Sequence, residues 1–98
     1  MPELHDLVRD LTAELQTLRT LFTLSENGLA AAKWFDEFLS ENELDLALHV
    51  VCDFLLEPAT PPTSPELQAR LEHLHSKMKI VDDCWIRLRQ KSNSLRLS

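Results

Sequence analysis

Glycine occurs once in this 98-residue chain and tyrosine not at all. Tight hairpin turns draw on glycine and strands draw on tyrosine and other β-formers, so their scarcity excludes a turn-rich sheet. A single glycine also excludes a glycine-rich phosphate loop. The only two cysteines, Cys52 and Cys84, stand in apolar stretches and not in a close-spaced motif. Neither a zinc site nor a disulfide framework is therefore expected, and reduced thiols fit a cytoplasmic protein. Long apolar runs are missing too. The stretch from Leu44 to Leu56 is interrupted by Asp45, His49 and Asp53, far short of the ~20 apolar residues a membrane span requires. Asp6, Arg9 and Asp10 break up the first leucines, so no secretory signal is expected and a cytoplasmic location is.

What is present is leucine at helical spacing. Hydrophobic residues make up 44% of the chain, enough for one core in a chain of this length. Leu4, Leu7, Val8, Leu11, Leu15, Leu18 and Phe22 fall on one stripe about 100° wide, which predicts a first amphipathic helix. The break at Ser25 to Gly28 leaves two readings open: Gly28 ends that helix, or Ser25 caps the next. A second helix from about Leu29 to Leu39 places Ala31, Trp34, Phe35, Phe38 and Leu39 on its apolar side, with the aromatics assigned to the core. Ser40 and Glu43 read as a capping box opening a third helix. The apolar residues of that helix, from Leu44 to Leu55, cover roughly 200° of arc, which predicts the central position. Pro58 stops it. A proline-bearing loop follows, and Ser64 with Pro65 starts a fourth helix whose stripe runs from Leu67 through Leu71, Leu74, Met78, Val81 and Trp85 to Leu88. The expected architecture is an all-α single domain over 1–90, a bundle of about four helices around the third, with a frayed tail over 91–98.

Charge is distributed unevenly. Residues 1–57 hold twelve acidic against three basic side chains, a balance of −9, whereas 66–98 hold four against seven, a balance of +3. No Lys or Arg interrupts the chain from Trp34 to Glu57. The candidate partner-binding residues are therefore Asp36, Glu37, Glu41, Glu43, Asp45, His49, Asp53 and Glu57, a surface that repels phosphate backbones and attracts a cationic protein. Asp45, His49, Asp53 and Glu57 form an i, i+4 row that has metal-ligand residue types, but such rows are ordinarily solvent-facing, and no metal or cofactor is expected. His73 and His75, two apart on a helix, point to different faces and read as surface residues. Both cysteines read as inert packing, and no catalytic constellation emerges. Arg87, Arg89, Lys91 and Arg96 form a basic end that favours the negative pole of the last helix. The same end offers a second reading, as a nucleic-acid-binding regulator.

The stretch from Gly28 to Leu56 resembles small immunity proteins of bacterial polymorphic and contact-dependent toxin systems, especially the MafI-type family. The resemblance rests on Glu43-Leu-Asp-Leu-Ala-Leu followed by the Cys52-Asp53 pair, then a proline-bearing loop and another long helix, an order extending from about 26 to 88. It implies a non-enzymatic cytoplasmic antidote that binds the toxic C-terminal domain of a delivered effector, often a nuclease. A nuclease is basic around its phosphate site, so an acidic helical face suits it physically. The alternative within the binding class is an adaptor or regulatory subunit using the same face. Neither reading calls for a small-molecule substrate, nucleic acid or membrane.

Overall fold

The N-terminal stripe folds in two pieces. In the computed structural model, which describes residues 3–58, 60–61, 63–80 and 84–97 and side chains between 7 and 91, helix α1 spans Glu3–Gln16 and a 3-10 segment spans Arg19–Leu24. The change of pitch begins where Thr17 N donates to both Ala13 O and Glu14 O and Leu18 N donates to Leu15 O at 2.9 Å. Thr17, Thr20 and Thr23 recur every third residue, the period of a 3-10 helix, and all three are exposed. The hydroxyls of Thr17 and Thr23 donate to the carbonyls three residues back, which favours the tighter turn. Despite the change, Leu11, Leu15, Leu18 and Phe22 are all buried. Leu7 is exposed, and the side chain of Leu4 lies outside the described residues.

Gly28 opens helix α2, Gly28–Ser40. Ser25 is extended, its hydroxyl accepts from Asn27 N, and its carbonyl accepts from Gly28 N at 3.0 Å. The glycine is required by a close approach: a Cβ there would lie 1.5 Å from the Phe22 carbonyl oxygen. Helix α2 packs on the 3-10 segment through this bare contact, burying Gly28, Ala32, Phe35 and Leu39 at spacings of four, three and four. Phe22 is in tilted contact with Phe35 at 5.3 Å and with Phe54 at 5.2 Å between ring centroids. These three rings fill the core of the first compact unit, residues 1–54.

The expected capping box is not formed. Helix α2 continues through Ser40, whose hydroxyl donates to Glu37 O, and ends with Asn42 in the left-handed region at φ 59°. Glu43 N donates to Phe38 O and Asn42 N to Leu39 O, the paired bonds of a Schellman motif. Glu43 then lies just ahead of helix α3, Leu44–Leu56, and its carbonyl accepts from Ala47 N. The Ser40-to-Glu43 spacing is that of a capping box, but the left-handed asparagine places both residues in the wrong positions for one. Helix α3 has the wide buried arc expected of it, with Leu44, Ala47, Leu48, Val51, Cys52, Phe54 and Leu55 buried.

The second unit, 55–98, contains α4, Pro65–Lys77, and α5, Cys84–Leu97. Ser64 caps α4 as expected, its hydroxyl accepting from Leu67 N with Pro65 in the first turn. The single long helix expected from 65 to about 90 is interrupted. Lys79 adopts φ 57°, Ile80 N donates to His75 O and Lys79 N to Ser76 O, a second Schellman motif. The leucine stripe steps across this break, with Leu71, Leu74 and Leu88 buried, while Val81 lies outside the described residues. Helix α5 extends past Gln90 over residues assigned to a frayed tail. Among the described residues the chain is all-α, with five helices and a 3-10 segment in place of about four helices, and no strand.

Cys52 and Cys84 are buried, and both are disulfide-bonded. This corrects the expectation of reduced thiols. An apolar setting along the sequence is shared by inert thiols and by half-cystines, so the pattern alone does not separate them. No described helix is long and apolar enough to cross a membrane.

Candidate functional site

The exposed positions of α2 alternate with its buried stripe and produce an outward face. Ala30, Trp34, Glu37 and Glu41 lie at spacings of four, three and four and are exposed, and Glu41 forms the C-terminal cap of the helix. Beyond the turn, exposed Glu43 precedes Asp45, His49 and Asp53, which continue an exposed i, i+4, i+8 row along α3. Glu57, the last member expected of that row, is only half-exposed past the end of α3. No three of the eight candidates bring ligand atoms within metal-binding reach of one another among the described residues.

Asp36 does not belong with the uncompensated carboxylates. Arg19 of the 3-10 segment donates to it bidentately, from Nε to Oδ1 at 2.9 Å and from Nη2 to Oδ2 at 2.8 Å. The hydrogen bonds from Arg19 hold the Asp36 carboxyl below its ordinary range, with partial desolvation opposing and the guanidinium charge adding to the effect. The uninterrupted acidic count from 34 to 57 conceals this pairing because its cation lies 17 residues upstream.

Trp34 is the residue that the sequence pattern misassigned. It is 55% exposed, not core, and stacks on half-buried Phe38 with centroids 6.0 Å apart and planes 28° from parallel. The spacing contained a signal. If Phe35 and Leu39 face inward with Ala32, then Trp34 is about 100° away from Phe35 and on the stripe of Glu37 and Glu41.

The basic end of the chain also changes character. Lys91 Nζ donates to the carbonyl oxygens of Leu55, Glu57 and Thr60 at 2.8, 2.7 and 2.7 Å. Burial pulls its ammonium below the ordinary lysine value, with Glu57 acting in the opposite direction. Its charge is therefore committed inside the unit. Arg89 lies over the half-buried Trp85 ring, 5.3 Å from its centroid, Arg87 is exposed, and the side chain of Arg96 lies outside the described residues. His73 is exposed as expected, but His75 is buried, with Nδ1 2.7 Å from Leu71 O. If that nitrogen donates, Nε2 is left as the acceptor.

No family model, characterised protein or solved structure matches this chain.

Proposed function

We propose that this protein acts by binding, without catalysis, and that it neutralises the basic toxic domain of a bacterial effector as an immunity protein. The observation that carries this reading is the exposure of Glu37, Glu41, Glu43, Asp45 and Asp53 across two consecutive helices, with no Lys or Arg between them in the chain. Carboxylates in such an array repel one another, and a cationic partner relieves that repulsion while being steered to the surface. The resemblance of the stretch from Gly28 to Leu56 to immunity proteins supports the same reading. The basic end supports a nucleic-acid role less well, because one of its cations, Lys91, is held by three backbone carbonyls. The cytoplasm remains the proposed compartment, although the disulfide-bonded cysteines weigh against a reducing one.

The deciding experiment is co-expression with the toxic C-terminal domain of any large protein encoded next to this chain. Wild-type protein is expected to restore growth, and growth arrest in its presence would overturn the reading. With a rescued pair in hand, Glu41→Lys combined with Asp45→Lys is expected to slow association at low salt and flatten its salt dependence. Helical content should stay unchanged by circular dichroism, because both positions are exposed.

A further inference from the structure

An exposed tryptophan on a short helix is an unusual use of a large apolar side chain. The core of the first unit is already filled by Phe22, Phe35 and Phe54, so packing does not account for Trp34. Its ring stacks on that of Phe38 with the planes 28° apart, and the residue is more than half exposed. Glu37 follows Trp34 by three positions, and Glu41 follows Phe38 by three. Side chains at that spacing are neighbours on a helix, with about 5–6 Å between Cβ atoms. Helix α2 therefore presents an aromatic platform bordered by two carboxylates.

That combination selects the charge and shape of what it binds. The face of an indole ring attracts cations, and the carboxylates beside it add charge and hydrogen-bond acceptors. A guanidinium meets both requirements, since it is planar enough to stack on the ring and forked enough to bond a carboxylate. An ammonium is also drawn to the ring face and donates to a carboxylate, but as a compact point charge without the flat stack or the paired fork. Phosphates of nucleic acid and anionic lipid headgroups are repelled by Glu37 and Glu41. Tryptophan is also among the side chains enriched at the energetic centre of interfaces.

We propose that Trp34, Phe38, Glu37 and Glu41 form the anchor of the docking surface and receive an arginine side chain of a basic protein partner. This rests on the proposed function and adds which part of the acidic surface governs affinity and which cation it prefers.

The test uses full-length protein carrying Trp85→Phe, so that emission reports Trp34 alone, titrated at low salt with nona-arginine and with nona-lysine. Nona-arginine is expected to change Trp34 emission and to bind several-fold more tightly than nona-lysine. Glu37→Gln with Glu41→Gln is expected to weaken nona-arginine binding about tenfold. Trp34→Ala, followed calorimetrically and confirmed as folded by circular dichroism, is expected to weaken it similarly, and Trp34→Phe to restore part of the loss. Equal affinity for the two peptides, with no effect of Trp34→Ala, would overturn the anchor while leaving a diffuse acidic surface in place. Binding to vesicles of anionic lipid without binding to nona-arginine would overturn it in favour of a membrane surface. In the co-expression assay, folded Trp34→Ala is expected to lose rescue that wild type retains. Full rescue by Trp34→Ala would count against the anchor alone, whereas failure of the wild type would count against the proposed function.

Discussion

The two compact units each contain an irregular connection, and they hold it by opposite means. In the first, the 3-10 segment and α2 meet by steric fit, with Gly28 against the Phe22 carbonyl and the Phe22 ring against Phe35 and Phe54. In the second, the loop from Pro58 to Ser64 is held by a charge. Helix α3 ends with carbonyls that have no helical partner, and prolines at 58 and 61 supply no N–H groups. Carbonyls are therefore in excess there. A lysine ammonium carries three donors and no acceptor, and Lys91 uses it on Leu55, Glu57 and Thr60. Gln68 secures the far side of the loop, donating to the carbonyl and hydroxyl of buried Thr63. An apolar junction tolerates no added atom, whereas a proline loop tolerates no lost donor.

Adding one methyl group is the sharpest way to break the first junction. Gly28→Ala places a carbon inside the Phe22 carbonyl, which only a shift of backbone relieves, so unfolding free energy is expected to fall by at least about 3 kcal/mol in a denaturant titration. A cost below about 1 kcal/mol would mean that the segments are not locked together. At the second junction, Lys91→Met keeps the apolar stem and removes the ammonium from three carbonyls, of which Glu57 O keeps the Thr60 N–H. The expected loss is about 2–3 kcal/mol, accompanied by faster amide exchange at Thr60, whose N–H donates to Glu57 O. Unchanged exchange there would show that the loop does not depend on the ammonium.

The helix ends allow a finer comparison between units. Both α2 and α4 stop in Schellman motifs whose left-handed residue is not glycine, Asn42 in one and Lys79 in the other. Asparagine adopts that conformation at less cost than lysine does. Lys79→Gly is therefore expected to stabilise the chain by about 0.5–1 kcal/mol, and Asn42→Gly by less, compared by thermal melting. An equal gain at both positions would remove the distinction.

The smallest effect belongs to the Arg19–Asp36 pair, which is exposed on both sides. The folded carboxyl titrates below its ordinary value of 3.8, so its contribution is present above that value and disappears as pH falls through the folded one. Asp36→Asn is expected to shift the melting temperature slightly at pH 7 and not at all at strongly acidic pH. A shift that persists in acid would assign the effect to packing and not to charge.

Local pattern carried much of this fold. Leu11, Leu15, Leu18 and Phe22 declare a buried stripe through spacing alone, and Ser64 with Pro65 declares a helix start because a cap acts within four residues. The wide apolar arc of α3 was legible for the same reason. Of the candidate site, the exposed acidic positions on α2 and α3 could be read from periodicity. Trp34 departs from the expectation because its hydrophobicity suggests core while its helical phase places it outside, and the capping box because Asn42, between Ser40 and Glu43, suits a left-handed helix end.

What the sequence by itself determined is that the chain is helical, that its first half is acidic, and where most of its apolar faces lie. These follow from composition and from a periodicity of 3.6 residues, both local properties. Tertiary structure alone decided which of these charges find partners within the fold. Arg19 reaches Asp36 across 17 residues and Lys91 reaches the loop carbonyls across 31 to 36. Ion pairs and donor–acceptor matches depend on distance in space, and chain folding brings such positions together without leaving a mark in local spacing.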